Sequence, residues 1–461
     1  MSESAVDSDR RPRFDGIVTR SASEQLADHV HGLSFDDLPG PVVDKTKELL
    51  LHHVGLALRC GGDPLGRQAV QVAHSLSGSN TDCTVIGQPR GASLLDAVFA
   101  NAVLMSCRGL DDFQLPPAVH QGVVTYPIGL ALGEHGHTSG RELITAVVTG
   151  YDTQAKLART MFSWQLPVPR HQYSLFAAFS AAAVAARLLK LSREQTAHAL
   201  AHAAHLGAGL AEAGDMMGPL QPLVARNGAM AAFLAQAGIP MARTSIEGEH
   251  GLFRTVAGHV PGTLAESLST LGQDFEITRA SPKRYGGSGL NIVPQELTLE
   301  LLKTNALTAD DITRVDITLP SEREQRETLM QTRLDQGFRP LWSARFLVAS
   351  VIACGAIDPL RYPRRGDTYL ERALEKVHLH FEPGRPIRYA RIEITATTTR
   401  RHVAEGDDHV FPPVDAYTWL AEGGTLSDSQ IHKLVKLIAT LEDVADVAEI
   451  TTCLTPASAP R

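Results

Sequence analysis

Cysteine is scarce and unpatterned in this chain, with five in 461 residues, at positions 60, 83, 107, 354 and 453. An odd, scattered set with no C-x-x-C spacing excludes a zinc ribbon and a disulfide framework, and it fits a reducing cytoplasm. Dense positive charge is missing as well. The formal net charge is −8 and the one tight cationic cluster is Arg10-Arg11-Pro12-Arg13, so nucleic acid is not an expected partner. Long hydrophobic runs are also absent. The most apolar stretch, residues 175–186, is interrupted by Ser180 and closed by Arg187. It falls well short of the ~18 residues a membrane span needs, so it reads as a buried helix and no membrane partner is expected. Residues 1–14 are polar and acidic without an apolar segment and read as a flexible leader.

Several common catalytic signatures are missing too. The glycines after Lys283 do not follow the order of a P-loop, and Gly286-Gly287-Ser288-Gly289-Leu290 is not a nucleophile elbow, because its last position is leucine. His198, His202 and His205 share one helix face at a spacing that can bind zinc, but no acidic residue completes an H-E-x-x-H. A packed histidine stripe is the preferred reading, and no metal is expected. His378 and His380 share the polar face of a strand and are expected to face solvent.

What is present is a long, ordinary globular composition. With 43% hydrophobic residues, the chain can build a large core and should hold two domains or one discontinuous one. Residues 15–280 read as helix after helix, with Ala-rich stretches at 172–190, 194–213 and 225–238 whose small side chains allow close packing. Ser192 with Gln195 forms a capping box, and Gly238-Ile239-Pro240 stops a later helix. From about residue 310 the period changes. Residues 315–319, 377–381 and 391–396 alternate as strands, and the Glu382-Pro383-Gly384-Arg385-Pro386 link suggests that the last two form a hairpin. Residues 343–355 look helical between them. Helical spacing returns at Ile431, Leu434, Val435, Ile438 and Leu441. The expected architecture is mainly α: an all-α domain from 15–280 plus 405–461, with an inserted α+β domain at 281–404.

Two histidines stand in proline-marked loops before small-residue helices: His120 after Pro116-Pro117, and His171 after Pro169-Arg170. Imidazole gives or takes a proton near neutrality, and Asp111 and Asp112 stand close enough in sequence to orient His120. His171 stands at a helix N-terminus, where backbone N–H groups favour an anion and a neutral imidazole. Lys283 and Arg284, followed by the glycines 286, 287 and 289, offer cations and flexible backbone for an anion, or else a domain hinge.

The order of segments resembles the MmgE/PrpD family, which includes 2-methylcitrate dehydratases, cis-aconitate decarboxylases and iminodisuccinate epimerases. The stretches that carry the resemblance are residues 100–112, 120–134, Gly150-Tyr151-Asp152, His171 with its helix, 228–238, 247–253 and Lys283-Arg284-Tyr285. The resemblance implies a helical domain capped by an α+β lid, a homodimer, no metal or organic cofactor, and an active site between domain and lid that acts on organic acids. It implies that His120 and His171 are the two cleft histidines and Lys283 the lysine near the lid. The departures cluster at the site. A family Asp-Phe-Asp-Asp becomes Gly109-Leu110-Asp111-Asp112, a lysine falls on Met217, a Pro-x-Cys becomes Gly286-Gly287-Ser288, and a lid aromatic falls on Ser350.

The reaction expected is that of a cofactor-free lyase that moves a proton next to a carboxylate or carbonyl and expels water or carbon dioxide. His171 is assigned as base, His120 as acid or orienter and Lys283 as anion contact, with Arg284 and Ser288 in reserve. Loss of a lysine at Met217 removes a charge-assisted contact of about 1.5–3 kcal/mol, so a substrate less charged than a tricarboxylate is expected. The alternatives are an epimerase, isomerase or cyclase using the same proton transfer, and a non-catalytic binding protein on the inherited fold.

Overall fold

The computed structural model describes residues 20–162, 172–207, 220–336, 341–358, 362–407 and 416–456. Helices dominate, and their starts follow local capping chemistry. Helix α1 (Ala22–Gly32) opens on a Ser21–Glu24 capping box. Helix α2 (Gly40–Cys60) follows, and then α3 (Pro64–Ser77), which begins with Asp63 as cap and Pro64 in the first turn, where a missing N–H costs nothing. Next come α4 (Leu94–Met105), α5 (Gly122–His135) and α6 (Gly140–Thr160). The helical series continues with α7 (Gln172–Leu188), α8 (Arg193–Leu206) and α9 (Leu220–Gln236). Helix α8 carries the Ser192–Gln195 capping box read from the sequence, and Gly238 lies in the left-handed region just past α9. Two short helices, α10 (Leu252–Ala257) and α11 (Leu264–Ser269), complete this part.

The interrupted apolar run is the axis of the helical body. From Phe176 to Ala186 every side chain of α7 is fully buried, and α5, α6, α8 and α9 pack around it. Small side chains make this possible. A Cβ on Gly228 of α9 would come within 2.4 Å of the Ala178 carbonyl, and one on Gly150 of α6 within 2.7 Å of Val184. No helix among the described residues is long and apolar enough to cross a membrane.

Helix α12 (Ile292–Thr304) leads into a four-stranded sheet of β3 (Ile312–Pro320), β4 (Val377–Glu382), β5 (Ala390–Ala396) and β6 (Arg401–Gly406), in the order β4-β3-β5-β6. The expected β4–β5 hairpin is not formed. Strand β3 lies between them, parallel to β4 and antiparallel to β5, because Val315, Ile317 and Leu319 are wholly buried at the sheet centre. The Pro-Gly link carries the chain across that centre strand, and the true hairpin joins β5 to β6 through Thr399 at φ 63°. A parallel β3–β4 pair requires a long crossover. It is supplied by α13 (Glu324–Asp335), α14 (Ala344–Cys354) and α15 (Thr368–Lys376). With α12, helix α14 closes a second hydrophobic core around the sheet. The final helices α16 (Ala416–Glu422), α17 (Asp428–Ala439) and α18 (Ala448–Cys453) return to the first core, where Ile431, Leu434 and Ile438 are buried. The two parts meet at a short antiparallel ladder of β1 (Asp112–Phe113) with β2 (Ser281–Pro282).

Candidate active site

The segment between α4 and α5 builds the site. Arg108 takes a left-handed backbone at φ 57° and pairs with the α3 cap Asp63 at 2.6 and 3.0 Å, and Gly109 follows at φ 66°. After β1 the chain turns back through Pro116–Pro117, a cis peptide, while Gln114 and Val119 exchange backbone hydrogen bonds at 3.1 and 3.3 Å. That return sets His120 against the start of the same segment. Its Nδ1 lies 2.7 Å from Asp111 Oδ2 and 2.8 Å from the Asp112 carbonyl. The β1–β2 ladder delivers the third member: Lys283 Nζ lies 3.1 Å from Asp111 Oδ1. Side-chain exposure falls from 16% at His120 to 8% at Asp111 and 2% at Lys283, so the imidazole is the member nearest solvent.

Burial alone would push the Asp111 carboxyl up. Lys283 and His120 outweigh it and hold this group well below the usual carboxylate range, so it is an anion at neutral pH. Lys283 also donates to the Gly109 carbonyl at 2.9 Å and lies 3.4 Å from that of Gly287. The lysine is thus turned inward, as counter-ion to Asp111 and tie between the two segments, where the sequence suggested an open anion contact.

Asp112 is a second node that sequence reasoning missed in its partners. His53 of α2 places Nε2 3.0 Å from Oδ1, the Gly122 amide donates to the same oxygen at 3.0 Å, and Tyr151 of α6 donates to Oδ2 at 2.8 Å. Burial raises the Asp112 carboxyl, and the His53 hydrogen bond and charge bring it below its ordinary value. Its neighbour His52 reaches the Leu110 carbonyl through Nε2 at 2.9 Å; burial and His53 push its pKa down to about 4. The available signal was the His52-His53 pair inside an otherwise apolar helix, and the glycine two residues after His120.

A further buried network lies on the far side of the turn. Glu276 accepts from Gln114 Nε2 at 2.5 Å and Arg159 Nη2 at 2.6 Å, with Lys156 Nζ 3.0 Å away. Gln121 donates to Gln114 at 2.8 Å, and Asp152 takes the Glu276 amide at 2.8 Å while lying 3.0 Å from His29 Nε2. These contacts fasten the segment that enters β2, and so the height at which Lys283 emerges.

The other expected site residues are placed as follows. His171 and Met217 lie outside the described residues. Two amides of the glycine loop are taken up inside the protein: Gly287 donates to Arg108 O at 3.1 Å and Ser288 to Leu341 O at 3.2 Å. Its tightness explains the glycines, since a Cβ on Gly287 would lie 2.0 Å from Leu341 O. Ser288 Oγ accepts from the Leu290 amide at 3.3 Å and from Arg326 at 3.0 Å, and so caps the turn that follows it. Arg284 is half-buried and hydrogen-bonds the Tyr285 phenol. Ser350 of α14 is buried and donates back to Phe346 O at 2.8 Å. Of the histidine stripe on α8, His198 and His202 each lie 3.0 Å from a carbonyl of the 239–241 segment. His380 is half-exposed, with Nε2 2.6 Å from Asp316.

Residues 24–263, more than half of the chain, match the MmgE/PrpD N-terminal domain. The chain belongs to the MmgE/PrpD family. Among its relatives, human cis-aconitate decarboxylase is 25% identical over 480 aligned positions that cover 96% of this chain and 97% of that protein. A cis-aconitate decarboxylase-like protein of Aspergillus oryzae is 27% identical over 297 residues, 60% of each chain. Mouse cis-aconitate decarboxylase is 29% identical over 231 residues, 48% of this chain and 47% of that one. The match to the MmgE/PrpD N-terminal domain contains the Asp111, Asp112, His120 and Tyr151 positions and ends before Lys283.

Proposed function

We propose that this member of the MmgE/PrpD family is a lyase that removes carbon dioxide or water from a small organic acid, with proton transfer at His120. The observation that carries this reading is the contiguous Lys283–Asp111–His120 array, at 3.1 and 2.7 Å, assembled from segments more than 160 residues apart. An ionised Asp111 accepting from Nδ1 orients the imidazole and stabilises its protonated form, which is what an acid–base group requires. Lys283 keeps Asp111 ionised inside the protein. In a decarboxylation, the electron pair released from the broken C–C bond passes to a conjugated carbonyl or carboxylate, and the acid returns a proton to carbon. In a dehydration, a proton leaves carbon first and another is given to the departing hydroxyl. His171 is proposed as the second proton-transfer group on the strength of the sequence resemblance alone.

The kinship with cis-aconitate decarboxylases makes cis-aconitate the first substrate to try. Met217, where the family carries a lysine, favours acids with fewer charges. The protein is proposed to work in the cytoplasm, as a homodimer, with no resident cofactor, and with residues 281–404 as a lid. The test is proton NMR in D2O with cis-aconitate, citrate, 2-methylcitrate, iminodisuccinate and simpler unsaturated or hydroxylated dicarboxylates. Loss of carbon dioxide or water from any of them supports the lyase. Deuterium uptake without loss of atoms replaces it with an epimerase or isomerase, and inertness toward all of them counts against enzymatic proton transfer on acids.

A further inference from the structure

Asp112 is held by three helices at once. Its Oδ1 faces His53 Nε2 from the middle of α2 and the Gly122 amide from the start of α5, and its Oδ2 faces Tyr151 from α6. Its main-chain carbonyl is 2.8 Å from His120 Nδ1. His120 is therefore gripped on both sides by one residue: before it through the Asp112 carbonyl, and after it through the Gly122 amide bound to the Asp112 carboxylate. The approach is as close as the backbone allows. A Cβ at position 122 would lie 2.0 Å from His53 Nε2 and 2.7 Å from Asp112 Oδ1.

His53 is an expensive residue for mere packing. It is fully buried, and its Nδ1 has no hydrogen-bond partner among the described residues, a desolvation cost that a leucine at the same place would not carry. A side chain that costs stability and hydrogen-bonds the residue gripping the acid–base imidazole is better explained by the site than by the core.

We infer that His53 is a positioning residue for the reaction proposed above: by fixing the Asp112 carboxylate it holds in place the Asp112 carbonyl, which together with Asp111 keeps a proton on His120 Nδ1 and sets which way that ring faces. The inference rests on His120 being the proton-transfer group. Tyr151 supports the same carboxylate from its other side. Sub-ångström placement of such a group matters because a shift of the order of 1 Å can cost about a hundredfold in rate.

The test uses two full-length variants. His53→Gln keeps a donor at the Nε2 position, and His53→Leu fills the space without one. Each is assayed for kcat and KM on an acid that the wild type converts. Each is also examined by 15N imidazole correlation spectroscopy after histidine labelling, with His120→Gln to assign the His120 signal. The leucine variant should lose about tenfold or more in kcat with KM changed less than about threefold, and should shift or broaden the His120 Nδ1–H signal, while glutamine restores both. Equal impairment of both variants overturns the inference, as does a leucine variant that only melts earlier. If circular dichroism shows that the leucine variant is unfolded, Tyr151→Phe takes its place. It must lower kcat and move the His120 signal, and no change in either overturns the inference. If the wild type converts no acid, the proposed reaction fails, yet the His120 signal in these variants still decides whether His53 positions that ring.

Discussion

Two buried charge clusters flank the turn at Pro116–Pro117, and both join a lysine to a carboxylate. In one, Lys283 meets Asp111, whose other oxygen faces an imidazole that still reaches the surface. In the other, Glu276 is wholly buried and surrounded by Lys156, Arg159 and the amide of Gln114, with Arg279 at 3.4 Å. The ingredients are alike, but among the described residues the second carboxylate faces cations and an amide donor, and no imidazole pairs with it. A buried carboxylate set among cations and an amide donor makes a joint, whereas one that shares its capacity with an accessible imidazole makes a place where protons can move.

Removing one member from each cluster should separate the two roles most sharply. His120→Gln should abolish turnover, with a loss of about 10²–10⁴ in kcat, while the melting transition stays near that of the wild type. Glu276→Gln should do the reverse. It leaves Lys156 and Arg159 without their shared anion and should lower stability by about 3–5 kcal/mol in urea titrations, with kcat of the surviving folded protein nearly unchanged. If Glu276→Gln removes activity in protein shown to be folded, the distinction between joint and site is wrong.

Next in size is Gly122→Ala, which touches only the first cluster. The added Cβ would overlap His53 Nε2 and Asp112 Oδ1, so α5 must shift away from α2, at about 1–3 kcal/mol of stability. Activity should fall further than that destabilisation implies, because His120 moves with the helix start. Gly238→Ala, at an open left-handed position past α9, is the control that costs some stability but no activity.

A pH titration of stability sharpens the comparison from another side. His52 has a folded pKa of about 4 against an ordinary 6.5. Because the unfolded chain takes up that proton first, stability is complete above about pH 6.5 and declines as pH falls toward 4, by about 3 kcal/mol in all. His52→Gln keeps a donor for the Leu110 carbonyl and should flatten this part of the curve. Asp111 and Asp112, both lowered when folded, act in a different window. Their contribution is present above their ordinary pKa and is lost only as pH falls through their lower folded values. Urea unfolding at pH 7 and pH 4.5 tests the contribution of His52 before the aspartates enter.

The same contrast explains what could be read from the sequence. Helix α7 was legible because a run of small apolar residues broken only by Ser180 has no other stable place than a core, and the Ser192–Gln195 cap was legible because its chemistry is local. The β4–β5 hairpin misled because a Pro-Gly link is a local signal, whereas the insertion of β3 is decided by burial at the sheet centre. At the site, His120, Asp111 and Lys283 stood out as polar groups in irregular segments. His53 did not, and Tyr151 stood out only as part of a family-like stretch, since a polar residue inside a helix shows its purpose only when the carboxylate it faces is known. Gly122 is legible only in the same light, because the atom that forbids a side chain there belongs to a residue 69 positions earlier.

The smallest effect expected is at Ser350, and it carries weight because the family resemblance puts an aromatic there. The Ser350 hydroxyl donates to the carbonyl one turn back in its own helix, an arrangement that contributes little to stability. Ser350→Ala should therefore change unfolding free energy by less than about 0.5 kcal/mol and leave kcat and KM alone. A clear rise in KM instead would mean that this hydroxyl meets substrate during the reaction, and α14 would then belong to the site together with the Asp111 turn. An unchanged KM leaves recognition of the acid to the groups gathered at β1 and β2, where the two hydrophobic cores join.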